Sequence, residues 1–268
     1  HAILDGWSNA VLQHYVHETY MRLKSGERVS VEVDSSYVEA QKYLQDHQGK
    51  NQEYWDKYVE QIDSHLDLGG IQLNRQVQLS EYKHIQSVQE RSYKIEGSLY
   101  HGLKTVSQRE GMTLNALLQY AWHKVLSIYS NIDQTVVGTT ISGRSLPIDG
   151  IEESVGLYIN TLPLIVNHGK GQEKIIDIVR TVQSTISEIN SRGHVNLASL
   201  HRGKGRLFDS LFVYENYPSM SVDEGLALEF KGSVEKQDYP LNVIAYDDGE
   251  QVTFKLNYAG EVFSRTGI

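Results

Sequence analysis

Gln134–Val166, reading QTVVGTTISGRSLPIDGIEESVGLYINTLPLIV, is the stretch from which the fold is read. Its two ends, Gln134–Ile141 and Thr161–Val166, are β-branched runs bounded by turn residues, the pattern of strands. Between them SGRSLPIDGIEES carries glycine and proline and predicts a long exposed loop. Upstream, Thr113 is placed to cap a helix running to Tyr129 through Leu117, Leu118, Ala121, Val125 and Ile128, and Gly97–Gln108 reads as another. Downstream, a helix at about 171–190 precedes strands near Leu207–Tyr214, Leu226–Glu235, Leu241–Tyr246 and Val252–Asn257. The last two strands meet through Asp247-Asp248-Gly249, a hairpin signal. Helices mixed with strands, and a final antiparallel pair, predict an α/β fold with a mixed sheet covered by helices.

The first third reads as helical. Val11, Leu12, Tyr15, Val16, Thr19 and Leu23 recur at helical spacing between Ser8, a predicted N-cap, and Gly26. Residues 36–48 carry Tyr37, Ala40 and Leu44, and residues 50–62 carry Tyr54, Trp55, Tyr58 and Ile62, on either side of Gly49. From the Gly69-Gly70 turn to about residue 95 the sequence is polar and without clear period.

With 268 residues the chain can bury a sizeable core, and 40% hydrophobic with 22% charged residues is ordinary for a globular protein. A net charge of −9, with acids scattered among bases, provides no basic stripe to neutralise phosphates, so nucleic acid is a poor partner. Absence of cysteine removes disulfides, thiolate metal sites and a cysteine nucleophile, and fits a cytoplasmic location. No apolar run reaches the roughly 18 residues of a membrane span. The chain opens on a histidine, with neither methionine nor a strand before it, as expected of a fragment.

His1-Ala2-Ile3-Leu4-Asp5-Gly6-Trp7-Ser8 sets an imidazole and a carboxylate four positions apart, before a glycine turn and a helix. Histidine titrates nearest working pH and can act as general base or hold an attacking amine. Taken alone, an HxxxD spacing occurs by accident more often than by function. His14 and His17 have no third ligand nearby and are expected to be solvated; Trp7, Tyr54, Trp55 and Trp122 are expected in packing roles.

Several separated segments, in one order, resemble the condensation domains of non-ribosomal peptide synthetases. His1–Ser8 is similar to that family's HHxxxDGWS signature from its second histidine onward, and Tyr54-Trp55 to its YW element. Thr113–Leu118 with Ala121-Trp122 resembles a helix of the family, and Val137–Arg144 its SGR element. Val155–Leu164 is similar to VGLFINTLPL, Phe208–Pro218 to FDSLFVFENYP, and Tyr239-Pro240-Leu241 to the late YPL.

The resemblance implies a chloramphenicol-acetyltransferase-like lobe, half of a V-shaped two-lobe domain with a tunnel between the lobes. Residues 1–30 would be the end of the N-terminal lobe and 31–268 the C-terminal lobe, the rest of the N-terminal lobe being a missing partner. Residues 142–160 would bridge beneath the tunnel, and part of 207–235 would cross to the partner lobe. His1 corresponds to the catalytic histidine, either proton acceptor or positioning group. Asp5 corresponds to a structural carboxylate paired with Arg144, a guanidinium able to bind it in a bidentate manner. Gly6 would let the backbone approach the thioester; Trp7 and Asn216 are cleft-wall candidates. The implied reaction is amide formation between donor and acceptor aminoacyl groups on peptidyl carrier domains, beside an adenylation domain. The domain has no cofactor of its own in this reading, phosphopantetheine belonging to the carriers, and no metal. Leu4 before Asp5-Gly6 hints at an L-configured donor. Epimerization on the same fold, a CoA-dependent acyltransferase and an idle partner-recruiting lobe are the rivals.

Overall fold

The computed structural model describes residues 3–31, 33–47, 49–63, 65–82, 85–169, 173–201, 205–216 and 238–268. The chain packs as two units. One is drawn from His1–Gln48, Ser142–Asn160 and Asn216–Glu235; the other from Gly49–Ile141, Thr161–Glu215 and Lys236–Ile268.

The larger unit is built on a six-stranded mixed sheet in the order β1-β6-β5-β4-β2-β3. Its strands are β1 (Val88–Ile95), β2 (Gln134–Ile141), β3 (Asn160–Asn167), β4 (Ser210–Glu215), β5 (Leu241–Asp247) and β6 (Val252–Ala259). β4 runs parallel to both β2 and β5, and β5-β6 is the antiparallel hairpin expected from the Asp-Asp-Gly turn. The helices of this unit are α3 (Gln52–Val59), α4 (Gly97–Arg109), α5 (Leu114–Ser130), α6 (Ile175–Arg192) and the single turn α7 (Leu197–Leu200). Thr113 caps α5 by accepting from the Ala116 N–H at 3.2 Å, and Asn131, left-handed at φ 52°, ends it. Strand alternation divides the core: Val136 enters a cluster with Leu162, Leu164, Val179, Val182 and Ile189, while neighbouring Val137 joins Phe212, Val243, Val252 and Phe263.

β1 is the strand that the polar run up to residue 95 concealed. It pairs along one edge only, with β6, and its residues are almost all exposed, so VQERSYKI shows no apolar alternation. α7 was likewise not expected. The predicted strand near Leu226–Glu235 lies outside the described residues.

Trp55 is fully buried on α3, and its indole N–H donates to the Arg192 carbonyl at 2.8 Å, tying α3 to the end of α6. Trp55→Phe removes one hydrogen bond and part of a ring, and is expected to cost about 2 kcal/mol. A lowered urea midpoint at constant m-value would register it; an unchanged midpoint would show that the bond contributes nothing.

The smaller unit holds α1 (Gly6–Lys24) and α2 (Ser36–Asp46). α1 begins two residues before the predicted start. Asp5, not Ser8, is its N-cap, because the Asp5 carboxylate reaches the Ser8 N–H at 2.8 Å while the Ser8 hydroxyl is engaged elsewhere. The apolar residues of α1 do not form a buried stripe: Leu12, Tyr15, Val16 and Leu23 are exposed. The 142–154 segment also departs from expectation. Leu146 and Ile151 are buried, packing with Ala40 and Tyr158 and against Tyr37 and Leu44 of α2, so apolar anchors fold this loop inward. No described helix is long and apolar enough to cross a membrane.

Candidate functional site

Asp5, Ser8 and Arg144 meet in the interior of the smaller unit, at 0%, 0% and 7% exposure. The Arg144 side chain donates through one terminal nitrogen to the carbonyls of Ile151 (2.5 Å) and Ser154 (2.9 Å). Its other terminal nitrogen donates to Asp5 Oδ1 (3.2 Å) and Ser8 Oγ (2.8 Å), so the fork is shared among four acceptors rather than spent on a two-point carboxylate clasp. Its guanidinium carbon lies 4.1 Å from the Tyr158 ring centroid, adding a cation–π contact.

The loop after Arg144 returns to the start of α1. Gly156 accepts from the Asp5 N–H (3.2 Å) and the Ser8 hydroxyl (2.7 Å) and donates its own N–H to Ser8 Oγ (3.0 Å). Tyr158 N–H donates to Asp5 Oδ2 at 3.0 Å. Trp7 is half-buried and fastens the same loop by donating its indole N–H to the Glu152 carbonyl at 2.7 Å. Two glycines make these approaches feasible. Gly143 has φ +66°, and a Cβ there would sit 1.9 Å from the Tyr158 carbonyl oxygen; one on Gly156 would sit 2.2 Å from the Tyr37 ring.

Burial opposes ionisation of Asp5, but hydrogen bonds from the Ser8 and Tyr158 N–H groups together with the Arg144 charge outweigh it, holding the carboxyl below the usual range. The carboxylate is thus ionised and fully occupied, which suits it to holding geometry and not to exchanging protons.

Of the residues singled out in the sequence, the structure brings Asp5 and Arg144 together and opens α1 with Gly6. His1 lies outside the described residues. Asn216 is exposed after the end of β4. His14 is exposed beside Glu18, and among the described residues no group of three His, Cys, Asp or Glu could hold a metal. Sequence reasoning missed Ser8 as a linking hydroxyl, and it missed Ser154, Tyr158 and Asp34. The last carried a readable signal, an Asp-Ser-Ser run before a helix, of the kind that turns a chain.

The family model for the condensation domain matches residues 1–268. The chain belongs to that family. It is 40% identical over 282 residues to N-(5-amino-5-carboxypentanoyl)-L-cysteinyl-D-valine synthase of Amycolatopsis lactamdurans, covering 100% of this chain and 8% of the synthase. Bacitracin synthase 1 of Bacillus licheniformis is 27% identical over 279 residues, with 100% of this chain and 5% of that protein covered. Among solved structures, the first condensation domain of the calcium-dependent antibiotic synthetase, in complex with a substrate analogue, superposes with a TM-score of 0.76 at 18% identity, covering 99% of this chain and 60% of that one. The epimerization domain from the third module of tyrocidine synthetase B gives 0.71 at 12%, with 99% of this chain and 63% of that chain covered. Condensation and epimerization domains therefore share this fold, the mixed sheet and helices expected of a chloramphenicol-acetyltransferase-like lobe.

Proposed function

We propose that this condensation-family chain takes part in amide bond formation within a peptide synthetase, joining a donor aminoacyl or peptidyl thioester to an acceptor aminoacyl thioester. In this reading the acceptor amine nitrogen attacks the donor carbonyl carbon. The new C–N bond forms as the donor C–S bond breaks, the donor pantetheine sulfur leaves as thiol, and the amine proton passes to it. His1 either accepts that proton on the way or holds the amine in line. Asp5, Gly6 and Arg144 fix the turn on which His1 is carried, and Trp7 and Asn216 border the cleft. Phosphopantetheine arms on donor and acceptor carrier domains supply both reactants, an adenylation domain loads them, and the domain brings no cofactor of its own. Most of the acceleration comes from holding two tethered reactants together.

The observation that carries the reading is the buried Asp5–Arg144–Ser8 network: it holds Asp5 and Ser8, the described end of the histidine motif, in a chain of this family. Residues 1–30 are assigned to the end of an N-terminal lobe and 31–268 to a C-terminal lobe, and with one wall of the tunnel the 268-residue chain alone is inactive. Turnover by that chain would refute this last point.

The test is intact-mass spectrometry of the acceptor carrier after mixing loaded carriers with the intact synthetase, wild type and His1→Ala. A dipeptidyl mass dependent on His1 supports condensation. Solvent deuterium at the α-carbon of a carrier-bound residue, without a mass for the joined product, would transfer the assignment to epimerization; neither signal would leave a recruiting lobe.

A further inference from the structure

Every second residue of the segment Ser154–Tyr158 bonds either the motif turn or its partner Arg144. Ser154 accepts from Arg144 through its carbonyl, Gly156 exchanges bonds with Asp5 and Ser8, and Tyr158 donates its N–H to Asp5. Such a strip must itself be held from its other side, and a carboxylate is there. Asp34 Oδ2 accepts from the Ser154 hydroxyl at 2.7 Å and the Val155 N–H at 3.0 Å, while Oδ1 accepts from the Ser36 N–H at 3.0 Å. The Tyr158 hydroxyl donates to Ser154 Oγ at 2.6 Å, so a continuous chain of donors runs from Tyr158 through Ser154 to Asp34.

We propose that Asp34 is a positioning residue for the histidine-motif turn, acting through Ser154, Val155 and Tyr158 to hold the strip against Asp5 and Ser8. The inference rests on the reading that this turn serves amide formation. Three features single out Asp34 from the other acids of the unit. Its two oxygens take three donors, two of them on the strip. Ser154, its hydroxyl partner, is 1% exposed, so that hydroxyl has no water to fall back on. Tyr158 stands where the resembling VGLFINTLPL pattern has Phe, and here its hydroxyl is bonded rather than free. Anchored by Arg144 on one side and Asp34 on the other, the strip transmits a fixed backbone position to Asp5.

Asp34→Asn is nearly isosteric and replaces one acceptor oxygen by an NH₂ donor, so it cannot satisfy the Ser154, Val155 and Ser36 donors together. In the intact synthetase, this variant is expected to lower kcat for dipeptidyl formation by roughly 10-fold with the acceptor KM unchanged. Its unfolding midpoint falls slightly, because the buried Ser154 hydroxyl loses an acceptor, and the loss of kcat, read well below the transition, exceeds what that fall accounts for. Tyr158→Phe should lower kcat less, and the double variant should lose no more than Asp34→Asn alone, because both act along one chain of bonds. Hydrogen exchange gives a reading independent of turnover: the Asp5, Gly156 and Tyr158 amides are expected to exchange about 10-fold faster in Asp34→Asn, with the interior of α2 unchanged.

Unaltered exchange at those amides overturns the inference whatever the synthetase's activity. So does a kcat equal to wild type, or a loss of kcat that merely tracks a lower unfolding midpoint, which would make Asp34 a stabilising residue only. A synthetase that joins no carriers while those amides loosen would sink the amide-forming reading and leave the positioning role standing.

Discussion

Arg144→Ala is expected to destabilise the smaller unit by about 3–5 kcal/mol and to reduce dipeptidyl formation by at least ~10²-fold. The size follows from what the truncation strands. Asp5 is fully buried and ionised, and losing its counter-charge leaves a carboxylate without water in the interior. The carbonyls of Ile151 and Ser154 and the Ser8 hydroxyl lose a donor at the same moment. Arg144→Lys is not expected to rescue, since a single ammonium cannot reach two carbonyls, a carboxylate and a hydroxyl set around a planar fork. The pairing itself is tested by the double variant Asp5→Asn/Arg144→Met, which removes both charges and should cost less than Arg144→Ala alone. Urea unfolding of the full domain measures the stability term, and intact-mass rates measure the other. An Arg144→Ala variant within about 1 kcal/mol of wild type would mean that the network is decoration and that something else fixes the turn.

The sequence disclosed those elements whose apolar residues face one side. β2 and the hairpin of β5 and β6 were legible because Val136, Val137, Leu241, Val243 and Val252 are packed into the core of one unit. α5 was legible because Thr113 marks its start chemically and apolar residues recur at helical spacing after it. What stayed hidden was set by long-range partners. β1 is a strand because β6 lies beside it, and nothing in VQERSYKI itself announces that. The loop after β2 looked exposed because glycine, proline and acids dominate its composition, yet Leu146, Ile151 and Arg144 turn it inward.

The site was half legible for the same reason. Asp5 and Arg144 could be paired from a family resemblance 139 positions apart in sequence, and they do meet. The bonds made by Ser154, Tyr158 and Asp34 depend on a backbone path no periodicity encodes. The helix start shows the competition directly: Ser8 is a good cap by residue type, but its hydroxyl is better used against Gly156, and Asp5 caps instead.

The second large effect is an acid-sensitive loss of stability in the larger unit. His123 on α5 and His168 after β3 are bridged by the Thr135 hydroxyl, at 2.7 Å to Nδ1 of the first and 2.8 Å to Nε2 of the second, all three buried. A hydroxyl has one proton, so where it donates to one ring and accepts from the other, the accepting ring must be neutral. Burial, helped by repulsion from His168, pushes His123 down to about 3. Burial also pushes His168 down to about 4, with Lys124 adding to the shift and Asp133 opposing it. Both folded values lie below the unfolded value of about 6.5. Their contribution is therefore complete above about pH 6.5 and is lost as pH falls, because the unfolded chain takes up the protons first. Asp209 works in the opposite sense: burial raises it to about 6 against the pull of His65 and Arg206, so the folded state takes up a proton as pH falls through that value. Two protons taken up on unfolding against one on folding leave a net slope of about 1.4 kcal/mol per pH unit below pH 6. Asp5, Asp34 and Asp247 are depressed and lose their contributions only below the unfolded value near 4, outside this window. Urea unfolding of the full domain between pH 7.5 and 4.5 should show the decline. Asp209→Asn should roughly double its slope, and His123→Leu/Thr135→Val should flatten it, at a cost near pH 7.5 of about 1–3 kcal/mol for the buried His168 Nε2 left without its partner. A double variant with the wild-type slope would place the titrating groups elsewhere in the protein.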